Sequence, residues 1–278
     1  MGVMIGCGVL LALGLAGAWR WRNVPFAVPD LHADLTAGEI SRRYLWYVSI
    51  IITGGVAAGV AVIGAGGRLA MRLLAVTGGE AAQGRLTEAD EIVGRITVGG
   101  TISFVTFNGV FGGLLFGALY LLVRRFLPAG PLGGAAYGLG LLLAFGAVLD
   151  PLRRDNPDFD IVGPGWVAVL TFTLLALAFG LVLQAFIART STWLPLLSTE
   201  RRVLVRYVPP LALAAIGFSV TAFLVLVGAV VVLASRWRLV VDVVRSDRWV
   251  TAGRVLVIGA VLLSVPNIIG SIIDIGTR

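Results

Sequence analysis

Long apolar segments alternate with short polar connectors along most of the chain. A helix needs about 20 apolar residues to cross the roughly 30 Å hydrocarbon core of a bilayer. The predicted spans are residues 3–18, 45–66, 101–123, 132–149, 166–188, 210–235 and 252–275. The pattern predicts an all-α protein, a polytopic transmembrane helical bundle of about seven spans that forms a single domain over residues 1–278.

Two connectors carry local signals of their own. Residues 236–249 place Arg238, Asp242 and Arg245 on one helical face and aliphatic residues on the other, which indicates an interfacial amphipathic helix. Thr87 and Asp90 resemble a capping box, so we expect a short helix to begin there.

Composition supports the membrane interpretation. Apolar residues make up 58% of the chain and charged residues 13%, whereas a soluble domain carries about 25% charged residues. The net charge of +7 comes from 22 arginines, since the chain has no lysine. Because these arginines flank apolar segments, they favour contact with lipid headgroups and exclude a nucleic-acid partner.

The residue inventory also excludes several chemistries. Without lysine there is no Schiff base to retinal or pyridoxal phosphate. His32 is the only histidine and Cys7 the only cysteine, which excludes bis-histidine haem, iron–sulfur clusters and thiolate zinc. We therefore expect no cofactor, no metal and no catalytic residues. Polar side chains within spans are sparse, which argues against an ion-coupled carrier: they are Asn108, Gln184, Asn267 and Asp274.

A glycine stripe marks the third span. Gly109, Gly113 and Gly117 form a tandem Gly-x-x-x-Gly pattern, whose flat surface lets another helix approach closely. The stripe is a candidate for either a subunit contact or packing within one bundle, and the many glycines of this chain favour packing.

Arg68 and Arg72 lie one helical turn apart at the end of the second span, on the same predicted side as Asp90 and Glu91. One interpretation is a site for an anionic substrate or lipid headgroup. The other, which we favour, is a salt-bridged hairpin that joins two helices.

The orientation rests on the first span. With seven spans the arginines divide equally between the two faces, but Arg20 and Arg22 directly follow the first span. We therefore expect the N-terminus outside, the C-terminus in the cytoplasm, and the connectors 80–95 and 150–160 outside.

Parts of the middle third of the chain resemble multi-pass membrane proteins of GC-rich Gram-positive bacteria, a group to which no activity is assigned. The resemblance is carried by Arg68–Arg72, Ala82–Asp90, Asp155–Asp160 and Gly163–Trp166. It implies a location in a bacterial plasma membrane.

Three functional classes remain open. The first is a non-enzymatic integral membrane protein that acts through helix–helix contacts, as a homo-oligomer or an accessory subunit of a membrane complex. The second is a channel or permease for a small solute, and the third is a lipid-handling membrane enzyme. The expected partners are the lipid bilayer, including anionic lipid, and another membrane subunit or a second copy.

Overall fold

The structure, a computed structural model, describes residues 2–27, 36–216, 222–223, 226–228, 230, 233 and 246–278. Within these ranges the backbone is helical or irregular apart from an isolated bridge between Leu86 and Ile92, which confirms the all-α prediction. The α-helices are α1 (Gly2–Trp21), α2 (Ala37–Ala58), α3 (Gly67–Thr77), α4 (Val98–Phe104), α5 (Gly112–Val123), α6 (Pro131–Phe145), α7 (Gly165–Trp193), α8 (Arg201–Arg206), α9 (Val208–Ile216) and α10 (Asp247–Gly276).

Five helices in the described part of the chain are long and apolar enough to cross a membrane: Gly2–Trp21, Gly38–Thr77, Val98–Phe126, Gly165–Trp193 and Asp247–Gly276. Two of them are composite, because π-helical segments join α2 to α3 and α4 to α5. The predicted span 132–149 corresponds to the shorter helix α6.

Two predictions fall mainly on residues that the structure leaves undescribed. The span 210–235 is described only in part, and residues 236–245 of the predicted amphipathic helix lie outside the described ranges. Residues 247–249 belong to α10 instead, because the Ser246 hydroxyl accepts a hydrogen bond from the backbone N–H of Trp249 at 3.2 Å and caps that helix.

One end of the bundle, which we call the aromatic end, is fixed by Trp46. This side chain is 1% exposed, and its indole N–H donates to the carbonyl of Leu194 at 2.6 Å. Phe26 packs edge-on against Trp46, and the guanidinium of Arg124 lies 3.4 Å above the Phe26 ring. The end of α1, the start of α2, the end of α5 and the end of α7 therefore meet here.

The opposite end, the connector end, consists of the connectors 78–97 and 146–164. Arg278 joins it, because its guanidinium pairs with Asp160 at 3.1 Å and donates to the carbonyl of Arg154 at 2.9 Å. At the other end of α10, Gly253 lies against the ring of Phe126. Helix α10 thus runs from the aromatic end to the connector end.

Both termini of the described chain lie at the connector end. In α1, Trp21 packs edge-on against Phe186 near the aromatic end, and Leu11 packs beside Gly66, so Gly2 lies toward the other end. This placement of the two ends disagrees with the prediction of termini on opposite sides of the membrane. The seven-span count is not confirmed, because five candidate spans are described and the span 210–235 lies mainly outside the described residues.

Accessibility of introduced cysteines tests this arrangement. In a Cys7→Ser background, Thr277→Cys should respond to an impermeant thiol reagent like Gln83→Cys and Pro157→Cys, because all three positions lie at the connector end. Ala129→Cys and Ser198→Cys, at the aromatic end, should respond in the opposite way. Labelling of position 277 together with 129 and 198 would contradict the shared location of the two termini.

The predicted glycine stripe forms a close helix contact within the bundle. Gly113 packs on Gly55 and Gly59, and a Cβ built on Gly113 would lie 2.9 Å from the Cα of Gly59. Gly109 and Gly117 extend the contact along the α2–α3 helix. The stripe therefore packs inside a single chain, where backbone approaches backbone and no side chain fits between.

Replacing Gly113 by leucine should destabilise this contact. The new side chain has only backbone to displace, and overpacking of this kind typically costs about 1–3 kcal/mol. Gly112→Leu is the matched control, because a Cβ there meets only the side chain of Ile63, at 3.3 Å or more. Thermal unfolding in detergent should show a lower Tm for Gly113→Leu than for Gly112→Leu, and equal values would contradict the packing.

Candidate functional site

Arg68 and Arg72 share one face of α3, as their spacing predicted, but no carboxylate of the described chain lies opposite. Among the described residues neither guanidinium has an acidic group within 4.0 Å. Arg68 donates to the Thr101 hydroxyl at 3.4 Å and lies 5.6 Å from the ring centroid of Phe104, while Arg72 is exposed. The favoured salt-bridged hairpin is therefore not formed by these arginines.

Asp90 and Glu91 occupy a hairpin turn and not the expected short helix. The amide of Thr87 donates to the carbonyl of Glu91 at 2.9 Å, and the amide of Asp90 donates to the carbonyl of Thr87 at 3.0 Å. Asp90 has a φ of 56°, in the left-handed region that aspartate tolerates better than most residues. Thr87 thus starts a tight turn, and both carboxylates remain exposed.

Glu88 is the carboxylate that joins the two connectors. It pairs with Arg153, and its backbone N–H donates to the Asp158 carboxylate at 2.7 Å. Burial raises the pKa of the neighbouring Asp150, an effect that Arg153 and a hydrogen bond with Asn156 partly oppose. These contacts join the two connectors, and Arg72 forms none of the ion pairs among the described residues.

Two double-mutant cycles distinguish Arg153, which has an ion-pair partner, from Arg72, which has none among the described residues. Arg153→Gln and Glu88→Gln should show coupling, because one ion pair links their side chains. Arg72→Gln and Glu91→Gln should be additive, because no contact joins them. Thermal unfolding of the four single and two double variants measures both couplings, and coupling confined to Arg72 and Glu91 would contradict this assignment.

The surface beside Arg68 continues toward the middle of the bilayer. Thr101, Phe104 and Asn108 follow one another at intervals of three and four residues, so they lie on one stripe of the α4–α5 helix. Asn108 is exposed, and no group in the described chain forms a hydrogen bond with its side chain. We call Arg68, Arg72, Thr101, Phe104 and Asn108 the Arg72 surface.

Helix α10 presents a second surface of this kind. Its buried positions include Gly253, Ile268, Ser271 and Ile275, and a stripe centred about 100° around the helix from them is open. A helical projection at 100° per residue groups the residues of that stripe. We call these residues the outer face of α10: Leu256, Gly259, Leu263, Asn267, Gly270 and Asp274.

The outer face of α10 combines exposure with small and polar residues. Leu263 is 83% exposed, and a Cβ built on Gly259 or Gly270 would have no atom within 4 Å. Asn267 and Asp274 are exposed, and no described residue pairs with either side chain. A lipid-facing helix surface normally carries large apolar side chains, while polar residues face other helices.

Sequence reasoning identified Asn108, Asn267 and Asp274 as rare polar residues within spans but did not place them on the surface. Exposure depends on which helices flank each stripe, and a single helix pattern contains no such information. The predicted helix-packing glycines lie inside the bundle, whereas Gly259 and Gly270 contact nothing in the described chain.

Comparison with protein-family models, curated proteins and solved structures gives no match.

Proposed function

We propose that this protein is a non-enzymatic integral membrane protein that acts through helix–helix contact, as a homo-oligomer or a subunit of a membrane complex, and that the outer face of α10 is the contact surface. One observation carries the proposal. Asn267 and Asp274 lie unpaired on the same open stripe as two glycines that pack against nothing in the described chain.

The energetics of the bilayer support this assignment. An amide without a hydrogen-bond partner in hydrocarbon costs several kcal/mol, since no water is present to compensate. Glycines on an exposed helix surface contribute neither helix propensity nor packing. Both costs disappear when a second helix covers the stripe, because small residues allow close approach and the amide gains a partner.

The charge distribution supports an orientation in a bacterial plasma membrane. Described arginines at the connector end are Arg68, Arg72, Arg85, Arg95, Arg153, Arg154 and Arg278. The aromatic end has more of them: Arg20, Arg22, Arg42, Arg43, Arg124, Arg125, Arg189, Arg201, Arg202, Arg206, Arg248 and Arg254. Arginine-rich ends favour the cytoplasm, so the aromatic end faces inward and both termini face outward.

The two alternative functions gain less support. A cavity of about 550 Å³ bounded by Thr77, Asp160 and Arg278 opens at the connector end. A second cavity, of about 260 Å³, is an apolar groove beside Trp166 and Ile272. The lining of each includes no residue from the aromatic end, so neither cavity forms a path for a permeating solute. Arg68 and Arg72, which have no carboxylate partner in the described chain, retain the capacity to bind a lipid phosphate.

Substitution of Gly270 by leucine tests the contact. A Cβ built on Gly270 meets no atom of the described chain within 4 Å, so the monomer should fold normally, while a partner helix would be pushed away. We expect wild-type protein extracted from its own membrane in mild detergent to exceed the 29.2 kDa mass of one chain, and Gly270→Leu to lose that excess.

Gly6→Leu in α1 is the matched control, because Gly6 is equally open but lies on another helix. It should retain the wild-type mass. A wild-type protein that is monomeric, or a Gly270→Leu variant with unchanged mass and unchanged Tm, would contradict the proposed contact surface.

A further inference from the structure

We infer that the partner of the outer face of α10 is a second copy of this chain, which docks through its Arg72 surface. The inference rests on the proposed function, since it names the occupant of the same face. In this contact Asp274 of one copy pairs with Arg72 of the next, and Asn267 of the first copy bonds to Asn108 of the second.

The chemistry of the two surfaces is complementary. The outer face of α10 presents a carboxylate and an amide, and the Arg72 surface presents a guanidinium and an amide; all four groups are exposed. Within the described residues none of Arg72, Asn108, Asn267 and Asp274 has a side-chain partner. An amide both donates and accepts, so two asparagines satisfy each other, and arginine binds a carboxylate in a bidentate manner.

The charged groups also match in depth. Gly163 lies against Leu74: a Cβ built on the glycine would be 3.3 Å from Leu74 Cδ2. Gly165 lies against Ile275. Leu74 and Ile275 are therefore level with the start of α7. At 1.5 Å per residue, Arg72 lies about 3 Å below Leu74 and Asp274 about 1.5 Å below Ile275.

The two amides both lie deeper in the bilayer. Asn267 lies eight residues before Ile275, which is about 12 Å deeper. Asn108 adjoins Gly109, which packs against both Val60 and Gly64. Asn108 is therefore level with a point about twelve residues, or about 18 Å, before Leu74. Two parallel copies in one membrane present the charged pair at one level and the amide pair below it.

The same groups disfavour a two-fold contact of the outer face with itself. Such a contact would place Asp274 opposite Asp274 and bring like charges together near the hydrocarbon core, whereas the proposed contact joins unlike surfaces. Contacts of this heterologous kind build a ring when the rotation between copies closes.

Disulfide crosslinking tests the pairing directly. In a Cys7→Ser background, purified Asn108→Cys and Asn267→Cys proteins are reconstituted into phosphatidylcholine vesicles, separately and as a mixture, and treated with a membrane-permeant oxidant. We expect a product of twice the 29.2 kDa chain mass from the mixture and none from either protein alone. Ile269→Cys is the matched control, because it is half exposed but lies about 160° around α10 from position 267. Mixed with Asn108→Cys, it should not crosslink.

The other outcomes overturn the inference in distinguishable ways. Self-crosslinking of Asn267→Cys would mean that the outer face meets itself, which removes the inference and keeps the proposed function. No crosslink, with a Gly270→Leu effect still present in extracts of the native membrane, would mean that the partner is a different chain. No crosslink and no Gly270→Leu effect would remove both.

Charge reversal provides a second measurement. Asp274→Arg and Arg72→Asp should each reduce the oligomer to the monomer mass, and the double variant should regain the wild-type mass. A double variant that stays monomeric while retaining the wild-type Tm overturns the pairing. If lipid phosphate occupies the arginines instead, phosphatidylglycerol will raise the Tm of wild type but not of Arg68→Gln/Arg72→Gln, and no 108–267 crosslink will form.

Discussion

The backbone contact between the α2–α3 helix and the α4–α5 helix determines where most other elements lie. Gly55 and Gly59 on one helix meet Gly109 and Gly113 on the other, so no side chain keeps the two axes apart. In a bilayer the hydrophobic effect does not drive helices together, and close packing of this kind takes its place. Both helices are π-helical along part of this contact, from Gly59 to Gly66 and from Val105 to Phe111. A second glycine contact, between α6 and α7 at Gly138 and Gly180, repeats the principle.

The two ends of the bundle are closed by different interactions. Buried aromatic side chains and a backbone carbonyl that accepts from Trp46 hold the aromatic end together. Exposed ion pairs join the connectors at the other end, through Glu88 with Arg153 and Asp160 with Arg278. Exposed pairs contribute little stability, so the connectors depend mainly on the helices beneath them. The position of Arg278 in this network is what brings the C-terminus to the same end as the N-terminus.

The polar groups outside these networks carry the functional proposal. Arg72, Asn108, Asn267 and Asp274 are exposed on two separate surfaces and have no side-chain partner in the described chain. In water such groups would be unremarkable, because solvent would satisfy them. Within the hydrocarbon core the two amides carry an energetic cost that a second helix removes. An interface made of these two surfaces therefore satisfies four groups at once.

The sequence by itself determined the class of the protein, since only membrane-spanning helices accommodate apolar segments of this length with so few charges. It also determined the packing glycines, because a repeat of four places Gly109, Gly113 and Gly117 on one stripe whatever the neighbours are.

The tertiary structure decided the rest. Residues 87–91 form a hairpin turn where the sequence predicted a helix. The carboxylate that forms an ion pair there is that of Glu88, not of Asp90 or Glu91. The end at which each connector lies, and the side of a helix that stays uncovered, depend on contacts between residues far apart in the chain, such as Arg278 with Asp160. A local sequence pattern does not predict such long-range contacts.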